Sequence, residues 1–187
     1  PRGTRVRTFV SKIGPTPKLF EYGLQGVYAT HGPDDTIYFA WDHKEQLDTA
    51  WTLASVRVPG EDPRTYTPEP LLRELPRVVW TKTFDGDAAM SVERLVWFPN
   101  GAVGVLGRGK RKLAGYDYRS DTRLRAVTPA GDDLGVATYG SPGDFHNEPE
   151  AVAVSPTGLA YVLGWQYWSG DGWNDENVMR LRFSVTR

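Results

Sequence analysis

The residues best suited to chemistry lie near the end of the chain. Trp165-Gln166-Tyr167-Trp168-Ser169-Gly170-Asp171-Gly172-Trp173-Asn174-Asp175-Glu176-Asn177 puts three Trp and one Tyr among acidic and amide side chains, with two Gly to let the backbone bend. Indole and phenol rings offer flat faces to a sugar ring, and Asp or Asn beside them can take its hydroxyls. Trp165, Tyr167, Trp168, Asp171, Trp173 and Asn174 are therefore candidate ligand-binding residues. Trp168 and Trp173 are the expected stacking rings, since they lie farthest from the strand that ends at Trp165. The competing reading is that the rings pack against a neighbouring sheet while the polar groups make turns. So oxygen-rich a loop could also hold calcium, but the spacing of the twelve-residue calcium loop is absent.

A second group precedes an apolar strand, in Asp144-Phe145-His146-Asn147-Glu148-Pro149-Glu150. His146 with Glu148 or Glu150 has the composition of an acid/base pair, and equally that of a capped turn. His146 and Glu148 join the candidate ligand set. His43 follows Trp41-Asp42 and lies close after Tyr38. A Tyr and a His at a sugar are what a β-elimination needs, one to take a proton and one to protonate the leaving oxygen. Tyr38 and Trp41 fall on opposite faces of one strand, however, so Tyr38 reads better as core. The run Arg108-Gly109-Lys110-Arg111-Lys112 reads as a solvated hairpin tip. With three His and no His-x-x-x-His pair, no metal site is expected.

These groups are carried by a repeated element. Ala151 to Val154 alternates, turns at Pro156-Thr157-Gly158, and alternates again from Leu159 to Leu163. The same pattern is present at Gly26–Thr30, Pro33-Asp34-Asp35 and Thr36–Trp41, and at Leu95–Phe98, Pro99-Asn100-Gly101 and Ala102–Gly107. Beyond each of the first two hairpins a strand runs into a Pro/Gly turn, at Pro59-Gly60 and at Pro129-Ala130-Gly131, and a further strand follows. The start of the chain, Arg5 to Val10, fits the slot after such a turn. Leu181 to Val185 fits the slot before one. Three units of four strands are expected, over about 1–60, 61–131 and 132–187 of a single unit spanning 1–187.

Four-stranded units of this period resemble the blades of β-propellers, and the resemblance covers essentially the whole chain. It implies an all-β, propeller-like array of three four-stranded blades. Thr36-Ile37-Tyr38-Phe39-Ala40-Trp41-Asp42-His43 is also similar to strands of sialidase-like propellers, a group that includes polysaccharide lyases. Ser169-Gly170-Asp171-Gly172-Trp173 departs from the sialidase Asp-box, lacking its Gly and Trp in register, and no WD signature is present.

Propellers close with about four to eight blades. The array is therefore expected to be half of a six-bladed ring or a fragment of a larger propeller, with a second copy or a partner supplying further blades. The ends bear on this: read end to start, Arg182 to Arg187 followed by Pro1-Arg2-Gly3 reproduces the junction at Arg125 to Gly131. Pairing of the Val6 strand of one chain with the Phe183 strand of another is the specific form expected. A start at Pro1 in place of Met leads to the expectation of processing or of a piece cut from a longer protein.

Twenty-two Lys and Arg against twenty-three Asp and Glu leave a net charge of −1, which gives no general pull towards nucleic acid or an anionic membrane. The absence of cysteine removes thiol chemistry and disulfides. No apolar run is long enough to span a membrane. The compartment stays open, with a secreted or cell-surface setting preferred. Nothing has the spacing of a known catalytic constellation. A non-enzymatic module that binds a glycan or a protein partner is thus the leading expectation, and a glycan-active hydrolase or lyase the alternative.

Overall fold

A computed structural model describes residues 27–33, 36–43, 50–57, 77–112, 118–140, 145–168 and 177–184. The chain is all-β. Its strands are β1 (Val27–His31), β2 (Thr36–Asp42), β3 (Trp51–Arg57), β4 (Arg77–Phe84), β5 (Ser91–Trp97), β6 (Val103–Lys112), β7 (Tyr118–Val127), β8 (Asp133–Tyr139), β9 (Phe145–Val154), β10 (Leu159–Trp168) and β11 (Asn177–Ser184). They form three antiparallel meanders in chain order: β1-β2-β3-β4, β5-β6-β7-β8 and β9-β10-β11. Among the described residues the third sheet has three strands, one short of the expected four. The strand Arg5 to Val10 proposed for such an edge lies outside the described residues.

The sheet limits are out of phase with the units drawn from the sequence. The strand that follows each Pro/Gly turn completes the sheet before it: β4 pairs with β3, and β8 with β7. Breaks at 60/61 and 131/132 therefore fall inside sheets. For β7 and β8 the reason is local, because the short connection 128–132 pairs a strand with its predecessor; β3 and β4 are joined through 58–76, outside the described residues.

The turns form as their residues dictate. Phe98 N–H donates to the Ala102 carbonyl at 2.9 Å and Ser155 N–H to that of Leu159 at 2.8 Å, while Gly32 N–H donates to the Thr36 carbonyl at 2.8 Å. Gly101 and Gly158 take φ of 86° and 82°, where a side chain would be strained. These bonds equate Gly32, Phe98 and Ser155, and hence every position along the flanking strands.

The sheets stack face to face in sequence. β5 packs on β1 and β2, and β9 packs on β5, β6 and β7. One core, with Tyr38, Ala40, Trp51, Leu53, Met90, Val103, Val105 and Val127, fills the gap between the first and second sheets. The other, with Phe98, Leu106, Leu124, Ala126, Ala160 and Val162, lies between the second and third. Period-2 alternation assigns β6 to both: Val103 and Val105 face one way, and Leu106 the other. Burial of each Val, Leu or Phe side chain here is worth about 1.5–3 kcal/mol.

Two inner strands carry the same irregularity. The β5–β6 register skips one residue between Val92 and Arg94, so Glu93 is bulged. The β9–β10 register skips between Ala151 and Pro149, so Glu150, the equivalent position, is bulged. A glycine lies across from each. A Cβ on Gly107 would run into the Ser91 carbonyl, and one on Gly164 into that of Glu148.

Candidate functional site

The bulged strands meet at one end of the stack, where β5 and β9 begin and β2, β6 and β10 finish. Register sets the pairs there: Trp165 is directly opposite Glu148, and Tyr167 directly opposite His146. The His146 and Tyr167 rings stack at 5.0 Å with 12° between their planes. Tyr167 donates its hydroxyl hydrogen to Glu148 Oε1 at 3.0 Å. Four of the residues singled out from the sequence thus come together as two cross-strand pairs.

Arg108 ties this group to the next strand inward. Its Nε donates to Glu93 Oε1 and its Nη1 to Glu148 Oε1, each at 2.7 Å. Bulging re-aims Glu93 towards this guanidinium, as bulges do where a strand must redirect a side chain. The run 108–112 is accordingly not a hairpin tip. It is the end of β6, with Gly109 buried and Arg108 only partly exposed.

Supporting bonds fix the first residues of β9. Asn147, fully buried, donates from Nδ2 to the Ser120 carbonyl at 3.0 Å and from its backbone N–H to Ser120 Oγ at 3.2 Å. Ser120 N–H donates to His146 Nδ1 at 3.3 Å. That last bond makes Nδ1 the acceptor of the ring. On the far side of β5, Asp42 accepts from Val92 N–H at 2.7 Å and from Ser91 Oγ at 3.1 Å.

The electrostatics follow from burial and from the shared arginine. Burial raises the Glu93 carboxyl, with Arg108 pulling it back. For Arg108, burial lowers the pKa, and the charges of Glu93 and Glu148 more than reverse this. Burial also raises the Tyr167 phenol, and the negative Glu148 adds to the effect. The Asp42 carboxyl is pushed up to about 6, chiefly by burial, against the bonds from Val92 and Ser91. Glu148 takes both of its bonds on Oε1, which leaves Oε2 as an acceptor among the described residues.

Other candidates fall elsewhere. Trp168 pairs in register with Phe145. Asp171, Trp173 and Asn174 lie outside the described residues. Tyr38 is 2% exposed, its ring against Trp97 and Trp80, with its phenol raised by burial. His43 is exposed, and its Nε2 is 2.8 Å from Thr52 Oγ1. Tyr38 and His43 therefore do not form a joint site. Sequence reasoning missed Glu93, Arg108, Ser120 and Asn147. The one available signal was the pairing of a broken alternation at Val92-Glu93-Arg94-Leu95 with a glycine, Gly107, one strand away.

No family model and no curated protein matches this sequence. Among the described residues no helix is long and apolar enough to cross a membrane.

Proposed function

We propose that the chain is a non-enzymatic, β-propeller-type binding module whose three sheets act as blades, completed by further blades from outside the described residues, and that it takes a glycan where β9 and β10 meet β6. The supporting observation is the register that sets Trp165 opposite Glu148 and Tyr167 opposite His146, with the His146 and Tyr167 rings stacked. An exposed indole beside a carboxylate gives a sugar a flat face to lie on and an acceptor for its hydroxyls. Glu93, Glu148 and Arg108 together carry excess negative charge, which favours a neutral sugar over an acidic one.

Binding accounts for the arrangement better than catalysis does. Glu93 and Glu148 are both clamped by one guanidinium, which holds the carboxylates in place and suits positioning a ligand. A lyase using Tyr38 would need that phenol at the substrate, and it lies in the core. The test is a glycan array followed by calorimetry on the best neutral ligand. Trp165→Ala and Glu148→Gln should each weaken binding by at least about tenfold. Unchanged affinity in both variants, or turnover of the glycan, overturns the proposal.

A further inference from the structure

The equivalence set by the three turns extends to which side chains face forward in the stack. Tyr38 of β2 corresponds to Tyr161 of β10, and Ala40 to Leu106 of β6 and Leu163 of β10. In the first two sheets these positions are closed against the sheet that follows: Tyr38 is 2% exposed and Leu106 0%. In the third sheet Tyr161 is 49% and Leu163 48% exposed, with Ala151 and Ala153 exposed beside them on β9.

The backward-facing set behaves in reverse. Leu95, Trp97, Val103 and Val105 of the second sheet pack on the first, and Val152, Val154, Ala160 and Val162 of the third pack on the second. Their equivalents on the first sheet are Ala29, His31, Ile37 and Phe39, with Val27 at the head of the strand. Val27 is 51% exposed, Ala29 is exposed, and Ile37 and Phe39 are half-buried. On β3 the same face is already covered at Ala54 and Val56, so the open area runs over β1 and β2. The third sheet uses the equivalent strands, β9 and β10, against the second.

The two open faces are therefore the two halves of a contact that the chain makes twice internally. From this we infer that the third sheet of one chain packs on the first sheet of a second copy, with Tyr161 and Leu163 seated against Val27, Ile37 and Phe39. Each copy carries one face of each kind, so the same contact forms twice and closes. Three sheets from each of two chains make a ring of six, within the span that propellers tolerate. Exposed apolar side chains aligned along a single strand, each with a buried counterpart in the neighbouring sheets, are what an unmade interface leaves behind. The inference rests on the blade reading above and not on the identity of the ligand: Trp165 continues this stripe at the position of Asp42 and Arg108, and none of the variants below touches it.

Sedimentation of the 187-residue chain over a range of micromolar concentrations should show a dimer. Leu163→Asp and Val27→Asp should each weaken association by at least about tenfold while the far-ultraviolet spectrum stays that of β-structure. Because the chain has no cysteine, Leu163→Cys and Val27→Cys give single-thiol proteins. A short bismaleimide should cross-link the two variants when mixed and neither one with itself. Should Leu163→Asp fail to fold, the milder cysteine variants decide the matter. A monomeric wild-type chain overturns the inference, as does a Val27→Asp variant that dimerises like wild type, or cross-linking of Leu163→Cys to itself. Loss of glycan binding by a chain that still dimerises would count against the ligand alone.

Discussion

Arg108 holds Glu93 of its own sheet through Nε and Glu148 of the next sheet through Nη1, both at 2.7 Å. One side chain thereby joins two inner strands that are not hydrogen-bonded to each other. Lysine cannot replace this geometry, because a single ammonium lacks the rigid fork that reaches two carboxylates at once.

Arg108→Met should lower the free energy of unfolding by about 2 kcal/mol, since it leaves two partly buried carboxylates without their shared cation. Arg108→Lys should recover less than half of that. Urea denaturation of the three proteins checks both values.

Asp42 gives the fold a dependence on acidity. Its folded pKa of about 6 lies above the ordinary aspartate value, so the folded state holds this proton more tightly than the unfolded chain. The contribution to stability is full below about pH 4 and is lost as pH rises through about 6. The shift corresponds to about 3 kcal/mol, which solvent screening of this partly exposed carboxyl reduces to about 2 kcal/mol. Asp42→Asn, which keeps an acceptor for Val92 N–H, should flatten this slope and be more stable than wild type at neutral pH. Thermal midpoints from about pH 4 to 7 would show it.

Gly164→Ala should cost about 2–4 kcal/mol, because the added carbon collides with the Glu148 carbonyl and the bulge cannot keep its register. The same change at Gly158, whose surroundings are open, should cost only the strain of its φ of 82°, about 1 kcal/mol. Chemical denaturation of the two variants separates close approach from backbone conformation.

Tyr38→Phe should cost no more than about 1 kcal/mol and Tyr38→Ala about 3–5 kcal/mol, as expected of a ring closed between sheets. If Tyr38→Phe instead abolished an activity towards glycans while sparing stability, the core assignment would be the thing to abandon.

The hairpins were legible because alternation and turn chemistry are local. Val152, Val154, Ala160 and Val162 declare a buried face within a dozen residues, and Gly101 and Gly158 mark the turns. Sheet phase was not legible, since alternation is the same whether β4 closes one meander or opens the next. His146, Glu148, Trp165 and Tyr167 were found by type, but their pairing was not, because it depends on the register shift between Leu163 and Gly164. Arg108 was hidden by its neighbours: five residues rich in charge look like loop, although the strand runs on through them to Lys112. Glu93 owes its place to one extra residue in a strand, a change that pattern reading averages away.

The stacked order of the sheets also bears on how the chain comes apart. The middle sheet is covered on both faces by its neighbours, whereas the third rests on the second through one face and the smaller of the two cores. In such a series each layer is stabilised only by those it touches, so in a single chain whose outer faces no second copy covers, opening proceeds from the ends. Amide hydrogens of β6 and β7 should exchange most slowly, through global unfolding. Those of β10, beneath Tyr161 and Leu163, should exchange through a cheaper partial opening that releases the last layer while the rest stays folded.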